Sequence, residues 1–376
     1  MKLTCEREKL LHGFQTVAGI APSRSPKAIL QNVKLEATSG HVTLVATDLE
    51  VGIRTELSGF EVEADGDVLL PIGRFGAILR ESPDEKLLME SDGRKILVRG
   101  AQSEFQLPAA DPDEFPTVSA FEEQVYLTLP VRFFREMIRR TVFATDTESS
   151  RYALGGILME VSPEGITAVA TDGRRLARQQ GPVEVGEGYQ GSENATIIPS
   201  RAMTLMERAL TDNEDNVMLA ARENDVLVKS QGVTIYARLV EGRFPKWRDV
   251  FPRMDDALQL EIAAGPFFAA VRQAAIVTSE DRRGVEFTFG EGRILLAGHG
   301  AERGESHVEL PIAYDGAEVR VILDPRYLND FLKVLEPDKV FTLAIKDPES
   351  AVVCTTDDGY AYVIMPLAAD QQQPTS

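Results

Sequence analysis

A threefold internal repeat is the feature of this sequence that most limits how the chain can fold. Three segments pass from a short β-rich run through a proline into a helical pattern: DVLLPIGRFGAILRE at 67–81, ATIIPSRAMTLMERAL at 195–210 and VRVILDPRYLNDFLKVLE at 319–336. Their prolines, Pro71, Pro199 and Pro325, are separated by 128 and 126 residues. A period near 125 residues is the size of a domain and is too long for a solenoid repeat.

Other features follow the same period. A second helical pattern opens each repeat, at 7–19, 129–143 and 264–278. Asp48 and Asp172 lie 124 residues apart in matching strand and turn patterns, and Phe-Pro pairs at Phe115 and Phe244 close the first two repeats. The sequence therefore predicts an α+β protein of three repeated domains, each with two helices and β-sheets. We place the domains at 1–124, 125–255 and 256–376, the last with a short polar tail.

Charge is distributed unevenly along this acidic chain. The net charge of −19 argues against nucleic acid, because phosphate binding depends on lysine and arginine. The six predicted helices, taken as 6–20, 72–82, 130–141, 199–210, 265–277 and 324–335, nevertheless carry thirteen basic and seven acidic residues. Arginine and glutamate have similar helix propensities, so propensity alone predicts no such sorting. The pattern favours helices that face a phosphate backbone without reading its sequence.

The size of the domains predicts how many of them a ring around duplex DNA would need. A domain of this length has a radius of gyration of about 14 Å. Six such bodies in a closed ring leave a hole of about 35 Å, which passes a duplex about 20 Å wide. Three bodies leave only a few ångströms and nine leave about 70 Å. Two chains of three domains would therefore form the ring.

Several classes of protein are excluded by pattern. No apolar stretch approaches the length of a membrane span, and the N-terminus lacks the pattern of a secretory signal, so we expect a cytoplasmic protein. The cysteines and histidines show no close metal-binding spacing, and neither a metal nor another cofactor is expected: Cys5, Cys354, His12, His41, His299 and His307.

Three alternatives to a DNA-encircling ring follow from the residues. An enzyme could use Asp48 and Asp172 as paired carboxylates, but equivalent positions in separate domains should lie far apart. The segment GEGYQG at 186–191 fits a dinucleotide-binding pattern without the strand and helix that such a site needs. No Walker motif is present, so opening a ring would need an external ATPase. A tandem β-repeat scaffold that binds only proteins stays open, and it predicts no retention on circular DNA.

The sequence resembles the bacterial sliding clamp family, the beta subunit of DNA polymerase III. The motifs that carry the resemblance run from the first residue to Leu367: MKLTCEREKLL, ATDGRRLA, LVEGRFPKW, RRGVEF and VIMPL. The resemblance implies three domains of the DNA clamp fold, with helices facing the ring interior and sheets outside. It also implies a head-to-tail homodimer that catalyses no reaction and tethers partners to duplex DNA, which the chain encircles. Those partners are the polymerase III alpha subunit, the clamp loader and other proteins with clamp-binding motifs.

The resemblance also implies a pocket that binds partner peptides. Its residues come from separate stretches of the sequence: Leu154, Thr171, Gly173, Arg174, Arg175, Leu176, Pro245, Trp247, Arg248, Val250, Tyr327, Val363, Met365, Pro366 and Leu367. Apolar walls with a flexible methionine suit a leucine or phenylalanine anchor, and arginines at the lip suit carboxylates or carbonyls. Asp172 itself is best interpreted as a turn former, because its counterpart Asp48 occupies the same hairpin pattern.

Two further sets complete the expectations. The DNA-facing set joins positions that match the family's channel with arginines of the predicted helices: Arg24, Arg74, Arg80, Arg135, Arg139, Arg151, Arg201, Arg272, Arg282 and Arg283. At the dimer interface the resemblance pairs Phe105 and Leu107 with Ile276 and Val277 of another copy. Such a contact uses two different patches of the chain.

Overall fold

The computed structural model describes residues 1–22, 25–148, 153–189, 195–211, 214–279, 282–300 and 303–368. The first part contains the strands β1 (Lys2–Glu6), β2 (Asn32–Thr38), β3 (His41–Thr47), β4 (Val51–Leu57), β5 (Glu61–Ala64), β6 (Gly66–Pro71), β7 (Lys86–Ser91), β8 (Lys95–Arg99) and β9 (Glu104–Pro108). The middle part contains β10 (Leu127–Pro130), β11 (Gly156–Ser162), β12 (Gly165–Thr171), β13 (Arg175–Gly181), β14 (Glu184–Val185), β15 (Thr196–Pro199), β16 (Asn216–Ala221), β17 (Asp225–Ser230) and β18 (Val233–Arg238). The last part contains β19 (Leu258–Ala263), β20 (Val285–Gly290), β21 (Arg293–Gly300), β22 (Gly304–Pro311), β23 (Val319–Leu323), β24 (Val340–Ile345), β25 (Val352–Thr355) and β26 (Tyr360–Ile364).

The helices follow the predicted repeat. They are α1 (Arg7–Ala18), α2 (Ile72–Glu81), α3 (Val131–Thr141), α4 (Ser200–Ala209), α5 (Trp247–Val250), α6 (Ala264–Ala274) and α7 (Pro325–Leu332). The prediction of two helices in each repeat is confirmed, and among the described residues the short α5 is the α-helix that was not predicted. Proline marks where four of them start: α2, α3 and α4 begin directly after Pro71, Pro130 and Pro199, and α7 begins at Pro325 itself.

The chain forms two compact units, and unit 1 contains residues 1–135 and 183–240. Its larger sheet has nine strands in the order β14-β10-β16-β17-β18-β4-β3-β2-β6, and its smaller sheet has the order β5-β1-β7-β8-β9. Strand β4 of the first repeat pairs antiparallel with β18 of the central repeat, with Ile53 opposite Ile235. Helix α1 packs on α2 through Phe14 and Phe75, whose ring centroids are 5.2 Å apart.

Unit 2 contains residues 136–182 and 241–376, of which the structure describes those given above. Seven of its strands lie in the order β11-β12-β13-β26-β25-β24-β19, and four more form the sheet β22-β21-β20-β23. Strand β13 of the central repeat pairs antiparallel with β26 of the third, with Leu176 opposite Val363. The central repeat thus contributes strands to both units, which explains why three sequence repeats form two compact units.

None of the helices in the described ranges is long and apolar enough to cross a membrane.

Candidate functional site

The predicted pocket stretch begins at the turn between β12 and β13. The Asp172 carboxylate accepts hydrogen bonds from the backbone N–H groups of Arg174 (2.9 Å) and Arg175 (3.0 Å). The Thr171 hydroxyl donates to the Arg175 carbonyl, and Gly173 takes a positive φ of 85° that glycine adopts without strain. The structure therefore agrees with the interpretation of Asp172 as a turn former.

The first repeat builds the same turn between β3 and β4. Asp48 accepts from the backbone N–H groups of Glu50 (3.0 Å) and Val51 (2.7 Å), and Thr47 donates to the Val51 carbonyl. Leu49 takes a positive φ of 83°, close to that of Gly173 in the second copy. Both aspartates therefore have the same local role, which is to accept backbone hydrogen bonds within a turn.

One face of the sheet in unit 2 collects the apolar pocket residues. Thr171 lies opposite Leu176 on the neighbouring strand, and Leu176 lies opposite Val363 on the next. Directly opposed residues of antiparallel strands share a face, so these three side chains are neighbours. Beyond β26 the chain stays beside the turn between β12 and β13, because the Met365 N–H donates to the Arg174 carbonyl at 2.9 Å. Two predicted stretches are thus brought together.

Helix α5 places the third stretch against the same face. The buried Trp247 indole donates from Nε1 to Glu160 Oε2 at 3.0 Å. Glu160 also forms an ion pair of 2.8 Å with Arg248, whose guanidinium lies 4.3 Å from the centroid of the Trp247 ring. Glu160 stands on the Leu176 face, since β11 and β12 pair Glu160 with Thr167 and Leu158 with Val169. A single carboxylate therefore holds both Trp247 and Arg248 in position.

Arg175 and Tyr327 belong to the opposite face. The Arg175 guanidinium donates to Asp172 (3.0 Å), Asp330 (2.7 Å) and the Phe143 carbonyl (2.6 Å), and it lies 4.6 Å from the Tyr327 ring centroid. Burial alone would lower the pKa of Arg175, but the Tyr362 hydroxyl and the Asp330 carboxylate raise it above its usual value. Of the three arginines that the sequence predicts for the lip, Arg174 and Arg248 are exposed, whereas the donors of Arg175 are engaged within the fold.

The remaining predicted pocket residues differ in exposure. Leu154 is buried, Pro245, Pro366 and Leu367 are half-buried, and Val250 and Met365 are exposed, Met365 to 47%. Exposed apolar side chains beside a partly buried apolar surface are typical of sites that bind a partner. Met365 has the flexible side chain expected for such a surface.

The first repeat lacks an open counterpart of this face. Gly52 stands 124 residues before Leu176, and Val118 lies directly over it. A Cβ atom at Gly52 would lie 2.6 Å from Val118 Cγ1, so no larger side chain fits there. Val118 also joins a buried cluster with Val45, Leu69 and Phe115. The equivalent surface is therefore filled by the chain itself.

The predicted DNA-facing arginines are mainly at the surface. Six of these arginines are exposed in the structure: Arg74, Arg80, Arg139, Arg201, Arg272 and Arg283. Arg135 is half-buried and pairs with Glu207 at 3.2 Å, and Arg201 pairs with Asp48. Arg282 is half-buried. Arg24 and Arg151 lie outside the described residues.

The predicted dimer contacts lie on or near sheet edges. Phe105 and Leu107 belong to β9, an outer strand of the smaller sheet of unit 1, and they are 36% and 8% exposed. Ile276 and Val277 follow α6, and Ile276 is 73% exposed. Phe105 and Ile276 are therefore exposed in the single chain, whereas Leu107 is already buried within it.

Within the described ranges, no group of three or more histidine, cysteine, aspartate or glutamate side chains could hold a metal ion.

Comparison with known proteins connects this arrangement to one family. Three models of the DNA polymerase III beta subunit match in order: the N-terminal domain at 1–119, the central domain at 128–246 and the C-terminal domain at 248–368. The chain belongs to the DNA polymerase III beta subunit family. The resemblance predicted from the sequence motifs is thereby confirmed.

Individual relatives agree with this membership. The beta sliding clamps of Pseudomonas putida and Escherichia coli K12 are each 29% identical, over 372 and 370 residues, which cover 98% of this chain and 100% of each relative. The crystal structure of the DNA polymerase III subunit beta from Pseudomonas aeruginosa has a TM-score of 0.89 at 26% identity, covering 98% of this chain and 100% of that one. The predicted three-domain clamp fold and the sliding clamp hypothesis are confirmed, and the scaffold alternative receives no support.

Sequence reasoning missed several residues that build the site. Glu160 holds Trp247 and Arg248, while Arg178 lies 4.9 Å from the Phe251 ring centroid next to Trp247. A signal was present, because Glu160 and Arg178 lie 124 residues after Glu36 and Arg54. Applying the repeat period to every charged residue, and not only to Asp48, would have identified both.

Proposed function

We propose that two copies of this chain close head to tail around duplex DNA, and that each copy binds clamp-binding peptides of its partners at the face around Leu176 and Trp247. The partners are the polymerase III alpha subunit, the clamp loader and other proteins with such motifs. The chain supplies no catalysis and acts as a processivity subunit on cytoplasmic, nucleoid DNA. DNA contact is through backbone phosphates and has no sequence preference.

The observation that carries this proposal is the match of all three family domains in order over almost the whole chain. Three features of the structure support it. Apolar side chains of separate stretches share one face of unit 2, six of the predicted channel arginines are exposed, and apolar side chains near two sheet edges are available for a second chain. In this proposal the boundaries between the three domains lie near residues 124 and 255.

Peptide binding can be followed through Trp247, the only tryptophan of the chain. We expect its fluorescence to change, with saturation, when a peptide bearing leucine and phenylalanine is titrated in. Replacing Met365 by Ala should weaken peptide binding about tenfold or more, because the apolar contact between the Met365 side chain and the peptide is lost. Val185→Ala, at an exposed position of unit 1, is the matched control and should leave affinity unchanged.

Two results would contradict this assignment at different points. Binding seen by calorimetry without a fluorescence change would remove Trp247 from the pocket. Equal peptide affinity of the Met365→Ala variant and the parent protein would show that the C-terminal segment is not part of the pocket.

Dimer formation depends on the exposed residues of the interface. We expect Phe105→Asp or Ile276→Asp to convert the dimer to a monomer in sedimentation velocity, because a buried unpaired charge would replace apolar contact. Val340→Asp is the control, since Val340 is 50% exposed and lies outside both patches. An unchanged sedimentation coefficient for both interface variants would refute the interface assignment.

A further inference from the structure

Arg178 has lost the carboxylate partner that its repeat equivalent keeps. In the first repeat, Arg54 pairs with Glu36 at 2.8 Å, reaching across β3. Arg178 and Glu160 occupy the same two positions one period later, with the same strand register across β12. Glu160 instead holds Trp247 at 3.0 Å. Trp247 of helix α5 thus binds Glu160, the carboxylate whose equivalent in the first repeat pairs with the arginine.

The surroundings of Arg178 do not replace that acid. The structure gives its side chain no hydrogen bond or ion pair to a described residue, and its Nε is buried without an acceptor. The half-buried guanidinium lies over the Phe251 ring, at 4.9 Å from the centroid. Burial, followed by the nearby charge of Arg248, lowers the pKa of Arg178. A buried donor without an acceptor costs free energy, which a bound acceptor would recover.

The position of Arg178 places this half-buried cation, with its unpaired Nε, beside the apolar pocket. Leu176 and Arg178 are two residues apart on β13, so they point from the same face about 7 Å apart. Arg174 and Arg248 are exposed near the same stretches, and Glu160 is already shared between Trp247 and Arg248. A peptide whose apolar anchor meets Leu176 therefore brings its neighbouring residue within reach of Arg178.

We propose that Arg178 recognises an aspartate or glutamate side chain of the partner peptide, next to the apolar anchor. This inference rests on the peptide-binding function proposed above and assigns it a preference for acidic flanks. The bond would be a charge-assisted hydrogen bond in a partly desolvated site, where such bonds are strongest. Arg54, satisfied by Glu36, has no such role.

Two amidated peptides that share the leucine and phenylalanine anchor, and differ only by Asp or Asn before it, test the proposal by calorimetry. We expect the parent protein to bind the Asp peptide about tenfold more tightly, the effect of one hydrogen bond to a charged group. Arg178→Met should remove this preference and change the affinity of the Asn peptide little, while Arg178→Lys should keep part of it. High salt should reduce the preference of the parent protein.

Arg54→Met is the matched control, because it removes the equivalent arginine of the first repeat and should leave the Asp preference intact. The same Asp preference in the parent protein and in Arg178→Met, or a gain of affinity for both peptides on that substitution, would overturn the role of Arg178. Failure of both peptides to bind the parent protein would overturn the peptide-binding function itself, and this inference with it.

Discussion

We expect the protein to remain on a nicked circular plasmid after loading by an ATP-driven clamp loader, and to leave the same plasmid once it has been cut to a linear form. A closed ring is linked to circular DNA by topology, so its retention does not depend on the strength of its phosphate contacts. Those contacts weaken steeply with salt. Retention on the circle should therefore persist at salt concentrations that abolish ordinary electrostatic binding.

Gel filtration of the loaded plasmid, before and after restriction cutting, measures this directly. The Ile276→Asp variant is the control, because a chain that cannot dimerise should not be retained on either form. Equal retention of the parent protein on circular and linear plasmid would contradict the ring and would leave simple electrostatic binding as the explanation.

The second large effect is expected from Arg175, which ties the central repeat to the third within unit 2. Arg175→Met should lower the free energy of unfolding by about 3–5 kcal/mol, the usual cost of breaking a buried ion pair from one side. The loss is large because the carboxylates of Asp172 and Asp330 remain close together without their shared cation. In scanning calorimetry, the transition of unit 2 should fall by about 10 °C.

Arg174→Met provides the matched control for this experiment. Arg174 is the preceding residue, it is exposed, and only its backbone takes part in the turn, so its removal should change stability by less than about 0.5 kcal/mol. Adding Asp330→Asn to Arg175→Met should recover part of the loss, because it removes one of the two carboxylates that Arg175 bridges; Asp330 keeps an ion pair of 2.6 Å with Lys333, so the recovery is only partial. Equal melting temperatures for the parent protein and Arg175→Met would show that this network does not stabilise unit 2.

Much of the fold could be predicted from periodicity. Prolines at Pro71, Pro199 and Pro325 and two amphipathic patterns per repeat were enough to predict three domains with two helices each, because these signals are local in the sequence. The turns at Asp48 and Asp172 were predictable for the same reason: the aspartate side chain bonds to backbone only two and three residues ahead.

The candidate site was predictable only through family motifs. Those motifs led to Leu176, Trp247 and Val363, which lie far apart in the sequence and meet only because β13 pairs with β26 and α5 docks on Glu160. They did not separate Arg175, which is held on the opposite face, from Arg174, which stays exposed. Adjacent residues of a strand point to opposite sides, and the register of pairing decides which side becomes the pocket.

The sequence by itself therefore determined the repeat, the helices and their basic charge, and the turns, because each depends on residues close together in the chain. Only the tertiary structure decided that Val118 fills the surface over Gly52 in the first repeat, and that Glu160 holds Trp247 and leaves Arg178 without an acid. Such outcomes depend on which distant segment packs against a given strand position. Pairing between strands, and not local propensity, decides which segment that is.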